Sequence, residues 1–172
     1  MRHLVLALLA GATLVSCATQ QPSVHKISVP FDLEEASRLN AEGENTIKGN
    51  AFIREGGGGV VTCAGERVFL IPATDYATQR MLAIYNNVEE GFVASQASRN
   101  LKFDPDPLEY YELIRSTMCD SRGDFAFDHV ADGEFFITVR IGWQAGLSPQ
   151  GGNLMHRVSA RFGHTVSVIM AP

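Results

Sequence analysis

From Thr46 onward the apolar residues recur mostly at every second position, the period of a strand with one face in a core and the other in water. Ile47, Gly49, Ala51 and Ile53 alternate with Thr46, Lys48, Asn50 and Phe52. Residues 66–72 (ERVFLIP) are apolar on both faces and predict a central strand, which Pro72 closes. Residues 110–119 predict a further strand and 120–123 (DSRG) a turn; Phe125 and Phe127 then point inward on the next strand. After the turn Ala131-Asp132-Gly133, the residues Phe135, Ile137, Val139, Ile141 and Trp143 occupy one face of a long strand. A loop is expected over 146–152. Leu154, Val158, Ala160 and Phe162 alternate on the strand after it, Gly163 turns a hairpin, and Val166, Val168 and Met170 finish the chain. Seven short strands with glycine turns predict an all-β Greek-key sandwich of transthyretin or immunoglobulin type.

Two helical patterns interrupt this period. Asp32-Leu33-Glu34-Glu35 has the form of a capping box, and Leu33, Ala36 and Leu39 recur at helical spacing up to Gly43, the expected stop. Thr74 or Asp75 caps the second helix, whose stripe of Ala77, Met81, Ile84, Tyr85 and Val88 reads as core packing before a partner groove. Residues 95–108 are a polar, proline-broken loop. The sandwich therefore carries one or two short helices.

The first residues have a different character. Met1-Arg2-His3 precedes a 12-residue apolar run, Leu4 to Val15, too short for the ~20 residues of a bilayer span. A positive start, an apolar run and small residues describe a secretory signal. Leu14-Val15-Ser16-Cys17 matches the bacterial lipobox, in which the Cys17 thiol receives a diacylglyceryl group and the new amino terminus a further acyl chain such as palmitate. Two or more chains anchor stably where one does not. Ala18 in place of Asp favours the outer membrane over retention in the inner one. The expected organisation is a lipoprotein signal peptide over 1–16, a tether over 17–29, a helical segment over 30–45 and the sandwich over 46–172, in an envelope lipoprotein facing the periplasm.

Composition narrows the possibilities. Cleavage after residue 16 of 172 leaves 156 residues, the size of one domain. Arg2 departs with the signal, so 13 basic side chains face 19 acidic ones and the mature charge is −6. That argues against nucleic acid and against adhesion to anionic lipid by charge. A hydrophobic content of 45% supports a core, and 16 glycines with seven prolines suit many turns.

The stretch Cys119-Asp120-Ser121-Arg122-Gly123-Asp124-Phe125-Ala126-Phe127, followed by Gly133-Glu134-Phe135-Phe136-Ile137-Thr138-Val139, resembles the carboxypeptidase regulatory-like, transthyretin-like domain. Ile47-Lys48-Gly49-Asn50-Ala51-Phe52 is similar to that family's opening strand and Val68-Phe69-Leu70-Ile71-Pro72 to its second. The resemblance runs over roughly 46–170, with 74–108 as an insertion. It implies a sandwich used for binding, spacing or folding, and no particular ligand. It also brings Cys63 and Cys119 towards one end of the fold. Export exposes this even pair to oxidants, so a disulfide is expected, two buried free thiols being the alternative.

Chemistry is harder to find. Zinc carboxypeptidases use His-x-x-Glu; this chain offers His129-Val130-Ala131-Asp132, in a turn. The Tyr-Arg-Gly-Ser-like tail of 5-hydroxyisourate hydrolases is absent. His25, His129, His156 and His164 lack metal-ligand spacing, and no Gly-x-Ser-x-Gly elbow occurs. No catalytic residue, metal or cofactor is therefore expected. Tyr110, Tyr111 and Trp143 are the candidate binding surface, core or rim packing being the plainer use of each. Arg140, Arg157 and Arg161 lie opposite the apolar faces, as a solvated sheet face before a basic patch. The expected role is a non-catalytic envelope module that binds or spaces envelope protein or cell-wall glycan. The alternatives are an enzyme with its site in the loops 74–108 and 144–152, or a subunit of a secretion or surface assembly.

Overall fold

The computed structural model describes residues 23–95 and 101–172; the expected signal peptide and Cys17 lie outside them. In chain order the elements are β1 (Val24–Lys26), α1 (Leu33–Asn40), β2 (Glu42–Arg54), β3 (Val60–Thr62), β4 (Arg67–Pro72), α2 (Asp75–Tyr85), β5 (Glu90–Ala94), β6 (Lys102–Asp104), α3 (Leu108–Glu112), β7 (Arg115–Met118), β8 (Asp124–Val130), β9 (Gly133–Ala145), β10 (Ser148–Ala160) and β11 (Thr165–Met170). One sheet has the order β5-β10-β9-β4-β7. In the other, β2 pairs on one edge with β11 and on the opposite edge first with β8 and then with β3. The fold is an all-β sandwich, with more strands than the seven expected.

The inward alternation holds. Ile47, Ala51 and Ile53 of β2, Phe125 and Phe127 of β8, Phe135, Ile137, Val139 and Ile141 of β9, and Leu154, Val158 and Ala160 of β10 form one buried cluster between the sheets. Val168 and Met170 close it from β11. Each of these larger side chains removes roughly 1.5–3 kcal/mol of apolar surface from water. Gly123, at φ +84°, makes the turn into β8; a Cβ there would stand 2.7 Å from Thr62 Cβ, so the turn needs glycine both for its backbone and for space. The buried Asn45 of β2 ties two turns together. Its Nδ2 donates to the Val130 carbonyl and to Asp132 Oδ1, both at 2.9 Å, and its Oδ1 accepts the His164 N–H at 3.1 Å.

A second core lies on the outer face of the five-stranded sheet. Ile71 and Phe136 of β4 and β9 and Met155 of β10 pack under Tyr76, Ala77 and Met81 of α2, with Tyr110 and Ile27 completing the cluster. Thr74 caps α2, its hydroxyl accepting the Ala77 N–H, and Asp32 caps α1 from the Glu35 N–H. Ala77 and Met81 of the expected stripe are buried here, whereas Val88 lies beyond the helix end.

Several local expectations are corrected. Residues 24–26, expected in the tether, pair in parallel with β6, and Ile27 is buried in the second core, so the domain begins well before residue 30. The helix stops at Asn40 and Gly43 lies inside β2. The expected strand 110–119 divides into α3 and β7, because Tyr110 is drawn under α2. The insertion contributes β5 and β6 to pairing, not only a helix and loop. The expected loop 146–152 is a tight turn, with Ser148 already paired to Ala145. Gly163 does turn the chain, but into no hairpin: β11 crosses to the other sheet and runs parallel to β2, where Val168 and Met170 find the core. Phe162 falls in that turn, at φ 63°, and is exposed.

Candidate functional site

Alternation on β9 and β10 decides what the outer face offers. Even positions of β9 and odd positions of β10 point away from the sandwich core. Phe136, Thr138, Arg140, Gly142 and Gln144 form one row, against Arg157, Met155, Asn153, Gly151 and Pro149 in register. Helix α2 and its neighbours cover the Phe136–Met155 end of these rows. At the other end lies a groove. Its larger compartment, of about 800 Å³, is lined by Tyr85, Val93, Phe103, Arg140 and Asn153 among others. A smaller one, of about 300 Å³, continues past Gly142 to Trp143, Gln144, Gln150 and Glu66. Arg140 and Pro149 line both. The larger volume falls in the range of small-molecule sites, about 300–1,000 Å³.

Two glycines shape the floor. Gly142 and Gly151 stand opposite each other, immediately after the pair Arg140 and Asn153. Neither sends a side chain outward, so the sheet dips there, as where another molecule's surface approaches a strand closely. Gly151 sits at φ +103°, and a Cβ on it would lie 2.0 Å from the Ile141 carbonyl oxygen.

The wall beside α2 is held by a buried arginine. The Arg80 guanidinium carbon lies 4.0 Å from the Phe103 ring centroid and 4.5 Å from that of Tyr110, with Tyr111 and Tyr76 further out. The guanidinium donates to Asp106, to Tyr76 Oη at 3.1 Å and to Tyr111 Oη at 2.8 Å. Tyr111 Oη donates in turn to Asp106 at 2.8 Å. Burial pushes the guanidinium pKa down, yet the hydrogen bond to Asp106, with the tyrosines behind it, outweighs burial and the net shift is upward. Arg80 thus stays charged and clamps β6 and α3 onto α2, presenting Phe103 to the groove. The phenol of Tyr85, another lining residue, is also shifted upward, by burial alone. It remains a neutral donor and acceptor at physiological pH.

The sequence-predicted residues fall apart in space. Cys17 lies outside the described residues. Cys63 and Cys119 are disulfide-bonded, with Cα atoms 5.7 Å apart. Tyr110 is buried in the second core, so it offers no surface. Tyr111 is exposed but engaged with Arg80 and Asp106. Trp143 packs partly against the sandwich core and lines the smaller compartment. Tyr110 and Trp143 therefore serve opposite faces of one sheet and form no common platform. Of the three arginines, Arg157 pairs with Glu89 and Glu134, and Arg161 with Glu134. No ion pair or hydrogen bond engages the Arg140 side chain among the described residues. Phe103 and Asn153 were not singled out in the sequence, and Tyr85 was named only in the core stripe of α2; alternation on β10 was the one available signal, for Asn153.

Among the described residues, no three His, Cys, Asp or Glu side chains are grouped to hold a metal ion, and no helix is long and apolar enough to cross a membrane. A third hollow, of about 620 Å³, lies on the opposite sheet. There Arg122 is paired with Asp120 and Asp124, and Lys48 is the other cation in the lining.

No protein-family model matches the chain, and no curated protein matches it. Among solved structures it is similar to a candidate carbohydrate binding protein from Pseudomonas aeruginosa. The TM-score is 0.67 at 22% sequence identity, over 83% of this chain and 97% of that one. At that identity the likeness establishes the shared β-sandwich fold.

Proposed function

We propose that this chain is a non-catalytic, saccharide-binding module of the bacterial envelope, anchored by lipid on Cys17. The observation that carries the binding role is the groove on the outer face. On the outer face it combines aromatic rings (Tyr85, Phe103) with amide side chains (Asn153, Gln144) over a floor cleared by two glycines, and at the end of the sheet it reaches Trp143 and Gln150, which alternate to the other face. Aromatic rings cover the apolar faces of sugar rings while amides read hydroxyl pairs. The carbohydrate binding assigned to the P. aeruginosa structure agrees with this reading. The resemblance to carboxypeptidase regulatory-like domains fits a binding module as well.

The groove is tested by calorimetric titration of the chain with a panel of neutral and acidic oligosaccharides. At least one binds, and the double substitution Asn153→Ala, Gln150→Ala weakens it at least about tenfold, the loss of one to two net hydrogen bonds. Lys48→Ala, on the opposite sheet, binds as the parent does. A panel in which nothing binds, or a double variant that binds undiminished, overturns the reading.

Anchoring has a separate test. Cys17→Ser abolishes incorporation of labelled fatty acid and either stalls processing or releases the chain from membranes. Unchanged acylation and membrane retention would refute the lipid anchor.

A further inference from the structure

We infer that the groove selects an acidic saccharide, one whose ring bears a carboxylate, and that Arg140 receives that carboxylate; this rests on the saccharide-binding reading. The larger compartment is the place to expect a charge preference, since Glu66, the acid of the groove, lines the smaller one. Among the described residues that line the larger compartment, Arg140 is the one charged side chain. The chain as a whole is acidic, with 14 basic against 19 acidic side chains, so the position is not part of a general basic surface.

Among the described residues, no ion pair or hydrogen bond commits the Arg140 side chain either. Its neighbours in the outer row, Arg157 and the nearby Arg161, are spent on Glu89 and Glu134. Arg80 is enclosed by Asp106 and four aromatic rings. Arg140 instead stands exposed at the junction of the two compartments, directly opposite Asn153 and beside the glycine dip. Its planar fork offers two parallel N–H groups, the geometry that meets a carboxylate with two hydrogen bonds.

The amount of charge points to a carboxylate and not to a phosphate monoester. One guanidinium balances a single negative charge, whereas a phosphate monoester carries nearly two at neutral pH. Glu66, the acid in the lining of the smaller compartment, repels an anion there, so the acidic ring sits on the Tyr85–Phe103 side of Arg140. The neighbouring ring then extends past Gly142 towards Trp143, Gln144 and Gln150. The inferred ligand is an oligosaccharide with a uronic-acid unit, gripped by a charge in one compartment and by amides in the other.

The test compares trigalacturonate with its methyl ester, which keeps the rings and removes the charge, by calorimetry on the full-length chain in detergent. The acid binds about tenfold or more tighter than the ester, as a charge-assisted hydrogen bond gives. The advantage shrinks as salt rises from about 0.05 to about 0.5 M. Arg140→Gln lowers the affinity for the acid to that for the ester, and Arg140→Lys restores part of the difference. Equal affinities for acid and ester, or a preference that survives Arg140→Gln, overturn the inference while the saccharide-binding reading stands. Absence of binding to these and to neutral oligosaccharides alike removes both.

Discussion

Replacing Cys63 and Cys119 together by alanine lowers the unfolding free energy by about 4 kcal/mol, on the chain-entropy account of a cross-link. The bond joins residues 56 apart, and a longer closed loop removes more freedom from the unfolded chain. Against a net stability of roughly 5–15 kcal/mol that loss is large. What the loop encloses makes it larger in consequence. β4, α2, β5, β6, α3 and β7 all lie between the two cysteines, so most of the outer layer and one wall of the groove are closed by this bond. Alanine suits both sites, which are buried. Urea unfolding of the parent and the double variant measures the difference. A loss below about 1 kcal/mol would mean that the unfolded chain keeps structure of its own, and would refute the entropic account.

The second large effect is at Arg80. Arg80→Met keeps the length of the side chain and removes the cation, leaving Asp106 and the hydroxyls of Tyr76 and Tyr111 without their donor. Breaking a fully buried ion pair costs about 3–5 kcal/mol. Asp106 is 40% exposed and regains water, so the expected loss is lower, about 2–3 kcal/mol. The lost contacts with Phe103 and Tyr110 belong to the same figure. The damage is local before it is global. Amide hydrogen exchange in 101–112 speeds up relative to β9 and β10, because β6 and α3 are held by this clamp more than by pairing. Undiminished stability and unchanged exchange in that segment would show that the aromatic cluster holds without the charge.

The two effects lie at different depths of legibility. The disulfide was within reach of the sequence, because an even pair of cysteines in a chain expected to be exported has few other fates and the resemblance placed both at one end. The Arg80 clamp was not. Arg80 lies one residue from the predicted apolar stripe and reads as a solvated position on an amphipathic helix. Its partners Phe103, Asp106 and Tyr111 belong to a segment that reads as loop or strand. Only the folding of 102–112 into a three-residue strand and a short helix encloses it.

The same division runs through the fold. By itself, the sequence determined the inward faces of β2, β8 and β9, the capped starts of both longer helices and the glycine turn at 123. Each rests on contacts local in the chain: a period of two, a side-chain oxygen reaching an N–H three residues on, a backbone angle that glycine alone takes freely. Tertiary structure decided which sheet each strand joined, and with it the site. β11 follows β10 in the chain yet pairs with β2, because the apolar face of Val168 and Met170 completes the core from the far sheet. Tyr110 left the surface because α2 offered it a buried place. Arg140 and Asn153 became neighbours only through the β9–β10 register, and they face a groove only because α2 covers one end of the outer sheet and leaves the other open. Alternation tells which side of a strand a residue occupies; what stands on that side is set by residues distant in the chain, through packing that no local pattern encodes.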